Sequence, residues 1–260
     1  MINSRDLAER ILAQRVNRYL DSGPPLAPYG TARFRVEGRR LRVGYASARP
    51  GAAPALVARV LAFARERRLQ QVQWTVVPAR SGEEDLCGEL ESAGFEAIEH
   101  LRLMGHVGPV VAPVNPRVQV RPIASWQEMW AYEQISRQCF YDDLRPSDAL
   151  ISQRAGERWY EQQHGWCRYF QAFVADRLAG GCYVSLYEDV PTIMGVCTLP
   201  QERHQGVATA LLAATVQSAL SPANELTCLF VERGNPAENL YRELGFFPLL
   251  ETHTYAWTPL

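Results

Sequence analysis

The sequence contains no lysine; all 27 of its basic residues are arginine. A Schiff base requires a lysine amine, so pyridoxal-phosphate and lysine-aldolase chemistry are excluded. A Walker-type phosphate loop is excluded for the same reason. The six cysteines, Cys87, Cys139, Cys167, Cys182, Cys197 and Cys228, are scattered and form no CxxC pair. That distribution predicts reduced thiols in a reducing compartment. No apolar run approaches the ~18 residues of a membrane-spanning helix, so no membrane partner is expected. Met1 to Asp6 show no basic segment leading into an apolar one, so no secretion signal is read there and a cytoplasmic protein is expected. Strong net charge is missing too, at a formal −1. Gripping phosphate backbones needs a dense basic face, so no nucleic-acid partner is expected.

What is present is a chain of 260 residues, 47% hydrophobic and 21% charged, enough for one large domain or two modest ones with ordinary cores. Leu7 to Leu20 reads as a helix with Ser4 as N-cap, ended by Gly23-Pro24-Pro25. A hairpin around Glu37-Gly38, a helix through Leu56, Val60 and Phe63, and a strand over Gln71 to Val77 follow. Ser81-Gly82-Glu83-Glu84 has the capping-box pattern and opens a helix to Ala93, with Gly94 as its left-handed cap. Ala97 to Val107 is strand-rich.

Gly108 to Pro116 then carries three prolines, which neither a helix nor a central strand accommodates. This predicts a boundary, with domains over 1–112 and 113–260. The second half reads β-α-α-β-β-β-α-β-α-β-β, a mixed α/β sheet. Its helices open at Ser125, Pro146, Gly206 and Pro236, and it ends in two strands, Phe246 to Leu250 and Thr252 to Trp257.

The strongest signal runs from Thr192 to Ala208. A strand enters a short turn and passes directly into a helix. Glycine lets backbone approach a ligand, and a helix N-terminus offers unpaired N–H groups and a positive dipole end, which suit a pyrophosphate. Arg203-His204-Gln205-Gly206-Val207-Ala208, preceded by Val196-Cys197-Thr198-Leu199-Pro200, resembles the (Gln/Arg)-x-x-Gly-x-(Gly/Ala) signature of the GNAT superfamily of N-acetyltransferases. Asn235-Pro236-Ala237-Glu238-Asn239-Leu240-Tyr241-Arg242-Glu243-Leu244-Gly245-Phe246 resembles that family's Asn…Ala-x-x-Leu-Tyr-x-x-Leu-Gly-Phe segment.

The resemblance covers the second half and implies an acetyl-CoA-dependent N-acetyltransferase, with no metal. It implies that two parallel strands, ending at Thr198 and Val231, splay to admit acetyl-CoA. The backbone of Val196, Cys197 and Thr198 would then hold the pantetheine and polarise the acetyl carbonyl. The amides of Gln205, Gly206, Val207 and Ala208 would hold the pyrophosphate, with Arg203 and His204 beside it and Asn235 on the pantetheine. Tyr241 would be the general acid to the departing thiolate. Some members carry a glutamate base on the second splayed strand. Phe230 occupies that position here, and Glu232, two residues on and on the same sheet face, is the candidate base. Asp142, Asp143, Glu188, Asp189 and His164 are further candidates. Cys197, on a strand, is expected to be an inert buried thiol.

Glu89 to Phe95 superposes on Leu240 to Phe246, placing Leu90 where the second half has Tyr241. The turn Ser47 to Pro54 stands in the place of the phosphate signature but contains two prolines, which lack N–H donors. The first half is therefore expected to be a degenerate GNAT-like lobe without a CoA site, giving two tandem lobes, each a mixed twisted sheet flanked by helices. The acceptor expected is a small-molecule amine or a peptide N-terminus, and the protein a monomer or homodimer. A non-catalytic acyl-CoA-binding sensor or scaffold is the alternative. Phe140, Tyr141, Trp159, Tyr160 and Trp166 either line the acceptor site or, at helical spacing, pack in the core.

Overall fold

The computed structural model describes residues 23–78, 83–141, 147–186, 190–221 and 225–259. The helix expected over Leu7 to Leu20, residues 81–82 of the capping box, and Asp142, Asp143, Glu188 and Asp189 lie outside them. The chain falls into two compact units. The first comprises Met1–Leu103, Val231–Asn235 and Pro248–Leu260; the second comprises Met104–Phe230 and Pro236–Phe247. These limits differ from a single cut after residue 112. The reason is the last strand, which returns to pair with the first unit.

In the first unit, β1 (Gly30–Glu37) and β2 (Arg40–Ala48) form the expected hairpin, turned at Gly38 with φ +58°. Helix α1 (Ala53–Glu66) crosses to β3 (Gln71–Val76), which lies parallel to β2. Helix α2 (Glu83–Ser92) leads to β4 (Glu96–Val107). The strand order is β1-β2-β3-β10-β4, where β10 (Phe247–Trp257) is one strand rather than the expected two. Its residues His253 to Trp257 run antiparallel to β3. Apolar residues of α1 and α2 (Leu56, Val60, Leu86, Leu90) bury against Leu41, Trp74, Tyr255 and Trp257. Each such large side chain contributes roughly 1.5–3 kcal/mol when fully buried.

The second unit has the order β9-β8-β7-β6-β5. Its elements are β5 (Val118–Pro122), α3 (Trp126–Phe140), α4 (Asp148–Gln163), β6 (Cys167–Val174), β7 (Arg177–Ser185), β8 (Thr192–Thr198), α5 (Val207–Ala219), β9 (Leu226–Glu232) and α6 (Ala237–Glu243). Ser125 makes a full capping box with Glu128 at the start of α3, and Ser147 caps α4. At α6 the N-cap is Pro236 rather than Asn235, because its φ of −54° already suits the helix. Successive residues of β7 face opposite sides. A Cβ on Gly181 would meet the Tyr132 ring of α3 at 2.7 Å, whereas Cys182 Sγ lies 3.0 Å from Thr215 Oγ1 of α5. Helices α3 and α5 therefore cover opposite faces of this sheet.

The two units repeat one local device. Gly94 and Gly245 follow α2 and α6 with φ of +84° and +91°. The amides of Phe95 and Phe246 donate to the carbonyls of Leu90 and Tyr241 at 3.0 and 2.9 Å. Both are Schellman-type endings in the register that aligned Leu90 with Tyr241.

Candidate active site

The opening at the sheet begins with β8 and β9. They are parallel neighbours, but their pairing covers only Thr192 with Cys228 and Ile193 with Leu229. From Met194 onward, among the described residues, β8 pairs with no strand on that side. Gly195 creates the divergence. It adopts φ +61°, and the β7–β8 register slips by one residue between Gly181–Cys197 and Tyr183–Met194. Such a bulge bends a strand and re-aims its amides. Val196 and Thr198 are half-buried, while Cys197 is buried against Ile135 and Leu199 of the α3 side. The Cys197 thiol is held well above its usual range by a hydrogen bond with Cys139 and by burial. It stays neutral, as an inert thiol should.

Beyond Thr198 the chain makes a short 3₁₀ turn, Pro200–Glu202, and enters α5. His204 and Gly206 both take left-handed conformations, φ +61° and +79°. Left-handed residues alternating with others turn backbone N–H groups into a concavity that suits an anion. Helix α5 has no side-chain cap and no acidic residue in its first turn, whereas α3, α4 and α6 each have one there. The positive end of its dipole therefore has no acidic side chain of its own first turn to offset it.

Three residues brace this turn. Asn115 donates from Nδ2 to the Gln205 carbonyl at 2.9 Å and accepts the Arg117 amide on Oδ1 at 3.0 Å. Glu202, buried, accepts Gln205 Nε2 at 2.8 Å and pairs with Arg177 at 3.2 Å. The Arg203 Nε donates to the Thr198 carbonyl at 3.5 Å.

The sequence of residues 128–246 matches the acetyltransferase (GNAT) family. This region is a GNAT domain. Solved structures that resemble nearly the whole chain agree on the fold. A GCN5-related N-acetyltransferase from Kribbella flavida has a TM-score of 0.67 at 16% identity, covering 99% of this chain and 96% of its own. One from Sphaerobacter thermophilus reaches 0.68 at 16% identity, over 98% and 92%. A tandem GNAT protein from the clavulanic acid biosynthesis pathway reaches 0.65 at 15% identity, over 99% and 97%. The chain thus has the two-lobed GNAT fold. No curated protein matches it by sequence.

Within the GNAT domain, Tyr241 lies on α6, only 7% exposed, with its ring 6.0 Å from Phe246. Burial pushes its phenol up to about 12. Val196, Cys197, Thr198 and the turn Arg203 to Ala208 belong to the same unit as Tyr241, whereas Glu232 and Asn235 fall in the first unit and are exposed. The exposed His164 ends α4 with Nδ1 2.8 Å from the Tyr160 carbonyl. Phe140, Tyr141, Tyr160 and Trp166 are exposed rather than core, and Trp159 alone of that set packs against the α3–α4 cluster.

A different aromatic set gathers at the bulge. Tyr132, Tyr169 and Tyr183 surround the Arg158 guanidinium at 5.5 to 5.8 Å, and Arg158 pairs with buried Glu133 at 2.6 Å. The Tyr132 hydroxyl is buried without a hydrogen-bond partner, and a Cβ on Gly195 would lie 3.2 Å from it. These residues, with Asn115 and Glu202, carry no local sequence motif; only the three-dimensional fold assembles them.

Proposed function

We propose that this protein transfers an acetyl group from acetyl-CoA to a primary amine by direct attack. The observation that carries the reading is the divergence of β8 from β9 next to an uncapped helix N-terminus in a GNAT domain. The pantetheine pairs with the free side of β8 at Val196 to Thr198, and the amides of Gln205 to Ala208 take the pyrophosphate. Arg203 supplies positive charge at its edge.

The amine nitrogen attacks the thioester carbonyl and forms a tetrahedral intermediate whose oxyanion the β8 amides stabilise. The C–S bond breaks, CoA leaves as thiolate, and the nitrogen loses its proton to a base, for which Glu232 is the candidate. Tyr241 faces the sulfur. A phenol raised to about 12 is a weaker acid than an alkyl thiol, so full proton transfer to the departing thiolate is uphill. Tyr241 therefore stabilises the departing sulfur chiefly as a hydrogen-bond donor. The Tyr132–Arg158 cluster beside Gly195 forms a wall of the acceptor side. The first unit is read as a lobe that binds no CoA.

Calorimetric titration of acetyl-CoA into the wild type and Gly206→Glu tests the reading. One site per chain is expected in the wild type and none in the variant, which places a carboxylate where the pyrophosphate lies. Gly206→Asn, which tolerates a left-handed φ, serves as the folded control. Release of free thiol with a panel of amines then separates turnover from binding alone. A wild type that binds no acetyl-CoA overturns the proposal.

A further inference from the structure

On the first unit, β4 brings His100 to Glu251 and His253 of β10, 151 and 153 positions further on. His100 Nε2 lies 3.0 Å from Glu251 Oε2 and 2.9 Å from His253 Nε2. All three ligand atoms lie within 4.8 Å of one another. Glu251 and His253 are two apart on β10, and His100 and Arg102 two apart on β4, so each pair projects from one face of its strand.

The arrangement is poorly matched as a hydrogen-bond network. A ring nitrogen carries either one proton or one lone pair, so His100 Nε2 can satisfy one of its two close neighbours but not both. If it donates to Glu251, it offers nothing to His253. If it accepts from His253, its lone pair faces those of the carboxylate. A divalent cation at the centre resolves the conflict, because all three atoms can present lone pairs to it.

We infer that His100, Glu251 and His253 form a binding site for a first-row divalent metal ion such as Zn²⁺. Two imidazoles and a carboxylate suit that class. A tetrahedral ion with bonds of ~2.0–2.1 Å separates its ligand atoms by roughly 3.3 Å, so the two close separations, 3.0 and 2.9 Å, need to open by only a few tenths of an ångström. Arg102 holds the other carboxylate oxygen, Oε1, through Nε at 3.1 Å and through Nη2, leaving Oε2 turned to the histidines. Such outer support orients a metal ligand. His100 and Glu251 are 28% and 34% exposed, which leaves room for entry and for water in the fourth position. The positive charge of Arg102 opposes the cation, so micromolar affinity is expected rather than the tighter binding of a closed structural site. The ion would tie β10 to β4 and stands apart from the proposed transferase chemistry.

The test uses the full chain, stripped with chelator and titrated with Zn²⁺ against a chromophoric chelator, and with Co²⁺ followed by visible absorption. One ion per chain is expected, with cobalt d–d bands and no sulfur-to-cobalt charge-transfer band. Glu251→Gln should weaken binding at least ~10-fold. His253→Ala should abolish it, along with the rise in melting temperature that Zn²⁺ gives the wild type. His253→Gln replaces the alanine variant if the latter shows no thermal transition. A wild type that fails to compete for Zn²⁺, a thiolate band with Co²⁺, or undiminished binding in folded His253 and Glu251 variants overturns the inference.

Discussion

Replacing Tyr241 with phenylalanine isolates one oxygen atom. The side chain is buried and its ring packs near Phe246, so phenylalanine fills the same space. On the proposed mechanism, what is lost is a donor to the thiolate that develops as CoA departs. Hydrogen bonds to charged groups contribute about 1.5–3 kcal/mol, so kcat should fall roughly 10- to 150-fold. Acetyl-CoA affinity, measured by calorimetry, should change less than about twofold, since the ground-state thioester carries no charge there. The pH profile adds a second constraint. The phenol must stay protonated, and with its pKa at about 12 activity should show no tyrosine-dependent alkaline loss near pH 10. The same shift bears on stability. A phenol whose native pKa exceeds the unfolded ~10 stabilises fully below pH 10, and that contribution is lost as pH rises through about 12. It amounts to ~2–3 kcal/mol and is absent in Tyr241→Phe. A phenylalanine variant with undiminished kcat, or a wild-type alkaline limb near pH 10 that the variant lacks, would refute the assignment.

Asn115→Ala removes the donor that holds the Gln205 carbonyl and should raise the acetyl-CoA dissociation constant by about 3- to 10-fold with kcat little changed, as read by calorimetry and steady-state kinetics. Gly195→Ala forces a side chain into φ +61° against the Tyr132 hydroxyl. It should destabilise the fold by about 1–2 kcal/mol in denaturant titration and lower kcat more than it raises KM, because the bulge aims the amides that meet the oxyanion.

The readability of this chain follows the range of its interactions. Signals carried by neighbouring residues are legible: the helix start at Ser125, the glycine endings at Gly94 and Gly245, and the strand–turn–helix passage into α5. The turn can be read because glycine and small residues stand at consecutive positions directly ahead of a helix. The splay of β8 from β9 was legible only through the family resemblance, since nothing local to Met194 says which strand it fails to pair with. Long-range partners were not legible at all. Asn115 looked like part of a proline-rich linker, yet it braces a carbonyl 90 positions away. Tyr132, Tyr169 and Tyr183 converge from one helix and two strands around Arg158, and no spacing in the sequence links them. The return of β10 to β3 moved the unit boundary because a strand's partner depends on the whole sheet.

If the first lobe binds no acetyl-CoA, as proposed, at least one of its departures from the second lobe must silence it. Its turn enters α1 with Ala52 at φ −101° and a proline in the first helical turn, where α5 has Gly206 at φ +79°. That deprives a phosphate of a donor and of the inward-turned amides. But β2 and β3 also stay paired from Arg40–Gln71 through Gly44–Thr75, five successive pairs, where β8 and β9 manage two. A pantetheine arm has no free strand edge to join there. Leu90, at the place of Tyr241, is sealed in the core with Leu86 and Trp74. If the closed strand pair is the deeper block, restoring the phosphate turn alone should achieve nothing. Pro54→Ala returns an N–H to the helix start and should leave calorimetric stoichiometry at one acetyl-CoA per chain. A second binding event in that variant would show that the turn, and not the closed sheet, keeps the lobe silent.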